Sequence, residues 1–82
     1  MENAWLKSGN TYKLKTMRIN GETPSRINND DYEVIETDGE TAYCKHIQSG
    51  ECYVFNASFL VNPEKPEDIY TDLTIEYKGE LI

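Results

Sequence analysis

The sequence has no long apolar run, only two cysteines and a single histidine among 82 residues. A membrane-spanning helix needs about 18 or more consecutive apolar residues, so the sequence predicts no membrane association. A secretion signal begins with basic residues and continues into an apolar stretch, whereas Glu2 stands near this N-terminus and no such stretch follows. We therefore expect a cytoplasmic protein.

The cysteines and the histidine do not have the spacing of a metal site. A structural zinc ion takes four ligands in closely spaced pairs, whereas Cys44, His46 and Cys52 offer three ligand types without such pairs. Strand alternation also places the two cysteines on opposite faces, so we expect no disulfide. A Cys44–His46 nucleophile would need an orienting group and oxyanion donors, and the sequence indicates neither. We predict no metal, no cofactor and no enzymatic activity.

The length fits one small domain, which we predict to span residues 1–82, with a core in 11–61 and a C-terminal strand or extension in 69–82. The net charge of −7 is unevenly distributed. Residues 1–29 carry a net +3 and residues 30–82 a net −10. This asymmetry indicates a basic edge and an acidic face, which can serve solvation or recognition.

The clearest local signal is Asp38-Gly39, which favours a two-residue type I′ turn between strands 32–37 and 40–47. A second turn at Ser49-Gly50 leads into a strand at 52–55. The flanking residues are rich in β-branched and aromatic types, as strands are. The sequence thus predicts a three-stranded antiparallel meander in which Ile47 faces Cys52.

Alternation in this register gives the meander two apolar faces. The residues predicted on one face are Ile35, Ala42, Cys44, His46, Tyr53 and Phe55, with Glu33. Those predicted on the other are Val34, Tyr43, Ile47, Cys52 and Val54, with Tyr32 and Lys45. A single sheet with two apolar faces must cover the second by curling into a barrel, by its chain ends or by a partner.

Segments on either side of the meander complete the expected fold. Apolar and charged residues alternate over 11–16, which predicts a strand that continues to 19 through a bulge near Thr16-Met17. A polar loop follows over 20–30. Residues 56–60 form a tight turn that carries Leu60 inward. Apolar and polar residues alternate over 73–78, which predicts a last strand. The spacing of Ile69, Leu73 and Tyr77 also fits a helix.

The order of these elements resembles an SH3-like small barrel. The run Gly50-Glu51-Cys52-Tyr53-Val54-Phe55-Asn56-Ala57-Ser58-Phe59-Leu60 is similar to the strand, short 3₁₀ turn and closing Leu at the end of such modules. The resemblance implies a mainly β fold, either a small antiparallel sheet or a barrel of about five strands with one 3₁₀ turn. The paired-aromatic segment that binds proline-rich ligands is absent, so that activity does not carry over.

We expect a non-enzymatic protein-binding module. Tyrosine offers a large contact area with few rotatable bonds, and the chain has six tyrosines beside an acidic hairpin. The candidate partner-binding residues are Tyr32, Tyr43, Tyr53, Glu36, Asp38 and Glu40. The partner is another protein or a second copy of the chain, and a small accessory or inhibitor protein of a phage or mobile element is one version. A plain solvated hairpin is the alternative reading of the acidic residues.

Nucleic-acid binding by a small barrel is the alternative function. Its candidate residues are Tyr12, Lys13, Lys15 and Arg18, which combine an aromatic ring for base stacking with cations for phosphates. The strongly negative remainder of the chain would repel nucleic acid, so we expect this binding to be unfavourable. A third reading makes the acidic hairpin a mimic of nucleic-acid phosphates.

Overall fold

The computed structural model describes residues 3–74. A four-stranded antiparallel sheet has the order β1-β3-β4-β5, and β2 and β6 form a two-stranded parallel sheet. The elements are β1 Thr11–Lys13, β2 Thr16–Ile19, β3 Asp31–Thr37, β4 Thr41–His46, β5 Cys52–Asn56, a 3₁₀ turn Ala57–Phe59 and β6 Tyr70–Leu73. The predicted mainly β fold is confirmed, whereas the sheets of the described residues do not close into a barrel.

The β3–β4 connection is longer than the predicted two-residue turn. Thr37 lies opposite Ala42, so four residues, 38–41, lie between this first pair instead of two. A type I′ turn needs positive φ at both central positions, but of Asp38 and Gly39 only Gly39 has it, at 94°. The turn is instead stabilised by the Asp38 carboxylate, which accepts hydrogen bonds from the backbone N–H groups of Glu40 and Thr41 at 2.9 and 2.8 Å.

A β-bulge in β3 changes the predicted faces of that strand. The register with β4 shifts between Val34 and Glu36, which leaves Ile35 as an extra residue. Because a shift of one residue moves side chains to the opposite face, Val34 and Tyr32 face the core and Ile35 is exposed. The faces predicted for residues 32–35 were therefore wrong.

The β4–β5 register also differs from the prediction, by two residues. Cys52 lies opposite Lys45 rather than Ile47, and Cys44 lies opposite Tyr53. The Glu51 carbonyl accepts a hydrogen bond from the N–H of His46 at 2.7 Å, so four residues, 47–50, lie between these two bonded residues. A shift of two residues preserves the faces, so Cys44 is buried, Cys52 is exposed, and both thiols are free as predicted.

The core lies on one face of the four-stranded sheet. It consists of Leu6, Tyr12, Tyr32, Val34, Ala42, Cys44, Ala57 and Leu60. Trp5 packs against this cluster, with its ring 5.6 Å from that of Tyr12, and its carbonyl accepts the Tyr12 hydroxyl at 2.6 Å. The predicted tight turn is the 3₁₀ turn, whose first turn is capped by the Asn56 side chain, and it buries Leu60 to 1% exposure.

The predicted first strand divides between the two sheets. Leu14 forms an isolated bridge with Leu60, and the Lys15 N–H donates to the Phe59 carbonyl, so the chain leaves the first sheet after β1. β2 then pairs with β6 from Thr16 opposite Tyr70 to Ile19 opposite Leu73. Within 69–78 the strand is Tyr70–Leu73, and most of the predicted strand 73–78 lies outside the described residues.

Candidate interaction surface

The sheet face turned away from the core carries an exposed aromatic and aliphatic pair. Tyr43 and Val54 are cross-strand partners on β4 and β5, and their exposed fractions are 44% and 64%. They lie on this side because they alternate with the buried residues Ala42 and Cys44 and with the half-buried Phe55. We call this side of β4 and β5, together with the neighbouring end of β3, the outer face.

Acidic residues border the outer face at the β3–β4 connection. Glu36 and Asp38 line, with Tyr43 and Val54, an open cavity of about 360 Å³. The two backbone N–H groups that bind the Asp38 carboxylate favour its charged form and lower its pKa. The outer face thus combines apolar side chains with fixed negative charge.

The three candidate tyrosines lie in three different environments. Tyr43 is on the outer face, where a side-chain hydrogen bond with Cys52 raises its pKa. Tyr53 is on the core side of the edge strand β5, is 41% exposed, and donates its hydroxyl to the Glu51 carboxylate at 3.1 Å. Tyr32 is 7% exposed, and burial raises its pKa. Tyr32 is therefore a core residue that exposes little surface.

Tyr32 owes its position to the β3 bulge and to its aromatic neighbours. Its ring lies 4.9 Å from that of His46 and 5.1 Å from that of Phe55. Phe55 and Tyr53 stack at 5.9 Å. Edge-to-face and offset contacts of this kind stabilise a cluster beyond the area that it buries. The cluster holds the inner side of β5 against β3 and β4.

The cations proposed for nucleic-acid binding all have carboxylate partners. Lys13 lies 2.7 Å from Asp31, and Lys15 lies 3.1 Å from Asp68. The Arg18 guanidinium donates two hydrogen bonds to the Asp72 carboxylate. The Lys13–Asp31 pair links β1 to β3, the Arg18–Asp72 pair links β2 to β6, and the third pair lies just before β2 and β6.

Tyr12, the aromatic member of the same set, is buried. Its exposed fraction is 4%, and its hydroxyl accepts the Lys7 N–H at 3.0 Å in addition to its bond with Trp5. A ring in this position cannot stack on a base without opening the core. Of the four candidate residues, only the three cations reach the surface, and each forms an ion pair with a nearby carboxylate.

The sequence reasoning missed a chain of polar side chains around His46. Its Nδ1 lies 2.7 Å from the Ser49 hydroxyl, and its Nε2 lies 3.3 Å from an Asp30 carboxylate oxygen. Ser49 Oγ also accepts the Glu51 N–H at 3.2 Å, which ties the hydroxyl to the turn. Asp30 lies before β3 and 16 positions from His46 in sequence, so spacing alone gave no signal. Residues 3–74 contain no cluster of three or more side chains placed to bind a metal ion.

Comparisons of the chain with protein-family models, curated proteins and solved structures find no match. None of the helical segments in residues 3–74 has the length and apolar character needed to cross a membrane. Exposed apolar side chains and carboxylates occur together on the outer face, and we take it as the candidate functional site.

Proposed function

We propose that this chain is a non-enzymatic protein-binding module that contacts its partner through the outer face. The observation that supports this most strongly is the exposed Tyr43–Val54 pair, which is bordered by the carboxylates of Glu36 and Asp38. Apolar and aromatic side chains at the centre of an interface, with polar groups around them, are typical of protein recognition sites. A partner that covers the pair removes its apolar surface from water.

The same proposal includes the biological setting. A small accessory or inhibitor protein of a phage or mobile element fits a short acidic chain, and carboxylates at Glu36, Asp38 and Glu40 support an inhibitor that imitates nucleic-acid phosphates. Two free cysteines fit the reducing cytoplasm. The order of β3, β4, β5 and the 3₁₀ turn supports an SH3-like relationship, although the described sheets stay open.

Nucleic-acid binding through residues 12–18 receives less support. Lys13, Lys15 and Arg18 would each have to leave a carboxylate to reach a phosphate. Phosphate contacts are strongest at low salt, so an electrophoretic shift assay at about 50 mM salt gives this function its best chance. We expect no shift of single- or double-stranded DNA or of RNA there, and a shift abolished by Arg18→Gln would favour the alternative.

The proposal is tested with variants that change the outer face and nothing beneath it. Tyr43→Ser with Val54→Thr removes the apolar pair while keeping residue types that strands accept. Ile27→Thr is the matched control, because Ile27 is 49% exposed but lies in the loop before β3. Immobilised wild-type chain and both variants are exposed to lysates of the host, and captured proteins are identified by mass spectrometry.

The decisive measurement uses the captured protein after purification. We expect the double variant to bind it at least about 10-fold more weakly, the loss expected of interface centres, and Ile27→Thr to bind it like the wild type. Thermal unfolding of the three chains checks that each is folded. If every purified candidate bound the folded double variant as tightly as the wild type, the outer face would not be the binding site.

A further inference from the structure

β5 forms an open edge of the four-stranded sheet. Among residues 3–74, β4 is the only strand that pairs with it. An edge strand displays main-chain groups that can pair with another chain, and proteins commonly block such edges with lysine, proline or a bulge. β5 has the sequence Cys-Tyr-Val-Phe-Asn, without a charge or a proline, and its register with β4 contains no bulge.

The main-chain groups at this edge can be assigned from the ladder. The N–H of His46 donates to the carbonyl of Glu51, and the N–H of Ala57 donates to the carbonyl of Glu40, both at 2.7 Å. Hydrogen-bonded pairs alternate with non-hydrogen-bonded pairs along an antiparallel ladder, so positions 51, 53, 55 and 57 face β4. The residues whose N–H and C=O groups point away from β4 are Cys52, Val54 and Asn56.

One cavity lies on each side of the sheet, and each is lined by one residue of β5. On the core side, Phe55 lines an apolar cavity of about 360 Å³ together with Leu14, Met17 and Phe59. On the outer face, Val54 lines the similar cavity beside Tyr43. Alternate side chains of a strand laid along β5 would point to these two sides in turn. Main-chain pairing with pockets for alternate side chains is how proteins recognise an added strand.

Negative charge stands at both ends of β5. Glu51 directly precedes the strand, and Glu40 lies next to β4 opposite Ala57, directly after it. Lys45, opposite Cys52, is the only lysine or arginine on β4 and β5. The whole chain carries −7. A segment with an apolar centre and basic residues on either side would complement this edge.

We propose that the partner supplies an extended segment of this kind, which pairs with Cys52, Val54 and Asn56 as a fifth strand of the sheet. This inference rests on the proposed function and names the partner's chemistry and its mode of binding. A second copy fits the edge less well. Symmetric pairing centred on Val54 would bring together two chains that each carry −7, with Glu51 of each copy one strand away from Glu40 of the other.

The test measures amide hydrogen exchange in the full chain by NMR, with a defined peptide as probe. The peptide is acetylated, alternates valine and threonine, and carries two lysines at each end. We expect the amides of Cys52, Val54 and Asn56 to exchange quickly in the free chain and at least about 10-fold more slowly with peptide, while those of Tyr53 and Phe55 are slow in both states. Added salt should weaken the effect.

Two matched peptides and one variant separate the contribution of charge from that of main-chain hydrogen bonds. A peptide with glutamates in place of its lysines should give no protection, and neither should one N-methylated at every valine and threonine, which has no central N–H to donate along either edge. Cys52→Pro removes an N–H that points away from β4 at the first residue of β5 and keeps the Tyr43–Val54 pair, so it should weaken binding about 10-fold or more without breaking the ladder. If that variant does not fold, the N-methylated peptide tests the same bonds on the unchanged protein.

The outcomes distinguish this inference from the proposed function. Peptide-induced shifts at Tyr43 and Val54 side chains without protection of the three amides would overturn strand addition while supporting the outer face as a binding site. Equal protection by the glutamate peptide, or no protection at about 1 mM lysine peptide, would overturn the assigned partner class. Protection that grows with protein concentration in the absence of peptide would show that the edge receives a second copy. The capture experiment with the outer-face variants tests the proposed function independently of all these results.

Discussion

Val34 on β3 lies directly opposite Cys44 on β4, and both side chains are 0% exposed. Removing two methyl groups from Val34 leaves a cavity that the surrounding sheet fills only in part, so Val34→Ala should lower the free energy of unfolding by about 2 kcal/mol. Val54→Ala is the matched control, because Val54 is 64% exposed, and should cost about 0.5 kcal/mol or less. Urea unfolding measures both, and equal losses would contradict the assignment of Val34 to the core.

The position of Val34 also shows why part of the fold could not be read from the sequence. Asp38-Gly39 correctly located the hairpin, and strand composition located β4 and β5. The faces of β3 depended on the turn length and on the bulge at Ile35. The Asp38 carboxylate closes the turn, whereas the bulge accompanies burial of Tyr32 and Val34 in a core built from distant parts of the chain, which alternation along one strand does not reveal.

The candidate site was also predictable only in part. Tyr43 and Val54 were expected on one face, and they share the outer face, because a register change of two residues preserves alternation. Tyr32 was expected beside them and is instead in the core, owing to the bulge. The ion pairs of Lys15 with Asp68 and of Arg18 with Asp72 join residues more than 50 positions apart, which alternation along one strand cannot reveal.

The two thiols should differ in reactivity. Cys44 is fully buried, and burial raises its pKa, whereas Cys52 is exposed on the outer face. Since the thiolate is the reactive form, we expect one thiol per chain to react quickly with a disulfide reagent and the second to react only on unfolding. Cys52→Ser should abolish the fast phase, and Cys44→Ala should leave it unchanged. Two fast thiols in the folded wild type would contradict burial of Cys44.

Asp38 should make the stability of the hairpin depend on pH. Its pKa is lowered in the folded state by the N–H groups of Thr41 and Glu40, so its contribution is complete above the unfolded pKa and is lost as pH falls through the folded pKa. Asp38→Ala should therefore lower Tm at pH 7, and the difference from wild type should shrink in acid. Asp38→Asn keeps an acceptor oxygen and should lose less than Asp38→Ala. A difference in Tm that does not change with pH would show that the carboxylate charge is not involved.

The Tyr12 hydroxyl should stabilise the N-terminal part of the core. It donates to the Trp5 carbonyl and accepts the Lys7 N–H, so Tyr12→Phe leaves two backbone groups without this partner and should cost about 1 to 2 kcal/mol. Tyr53→Phe is the matched control, because its hydroxyl bonds the exposed Glu51 carboxylate, and should cost about 0.5 kcal/mol or less. Trp5 is the only tryptophan, so its fluorescence follows this region during unfolding. If Tyr12→Phe unfolded at the same urea concentration as Tyr53→Phe, the bonds that join Trp5 and Lys7 to the sheet would contribute nothing to stability.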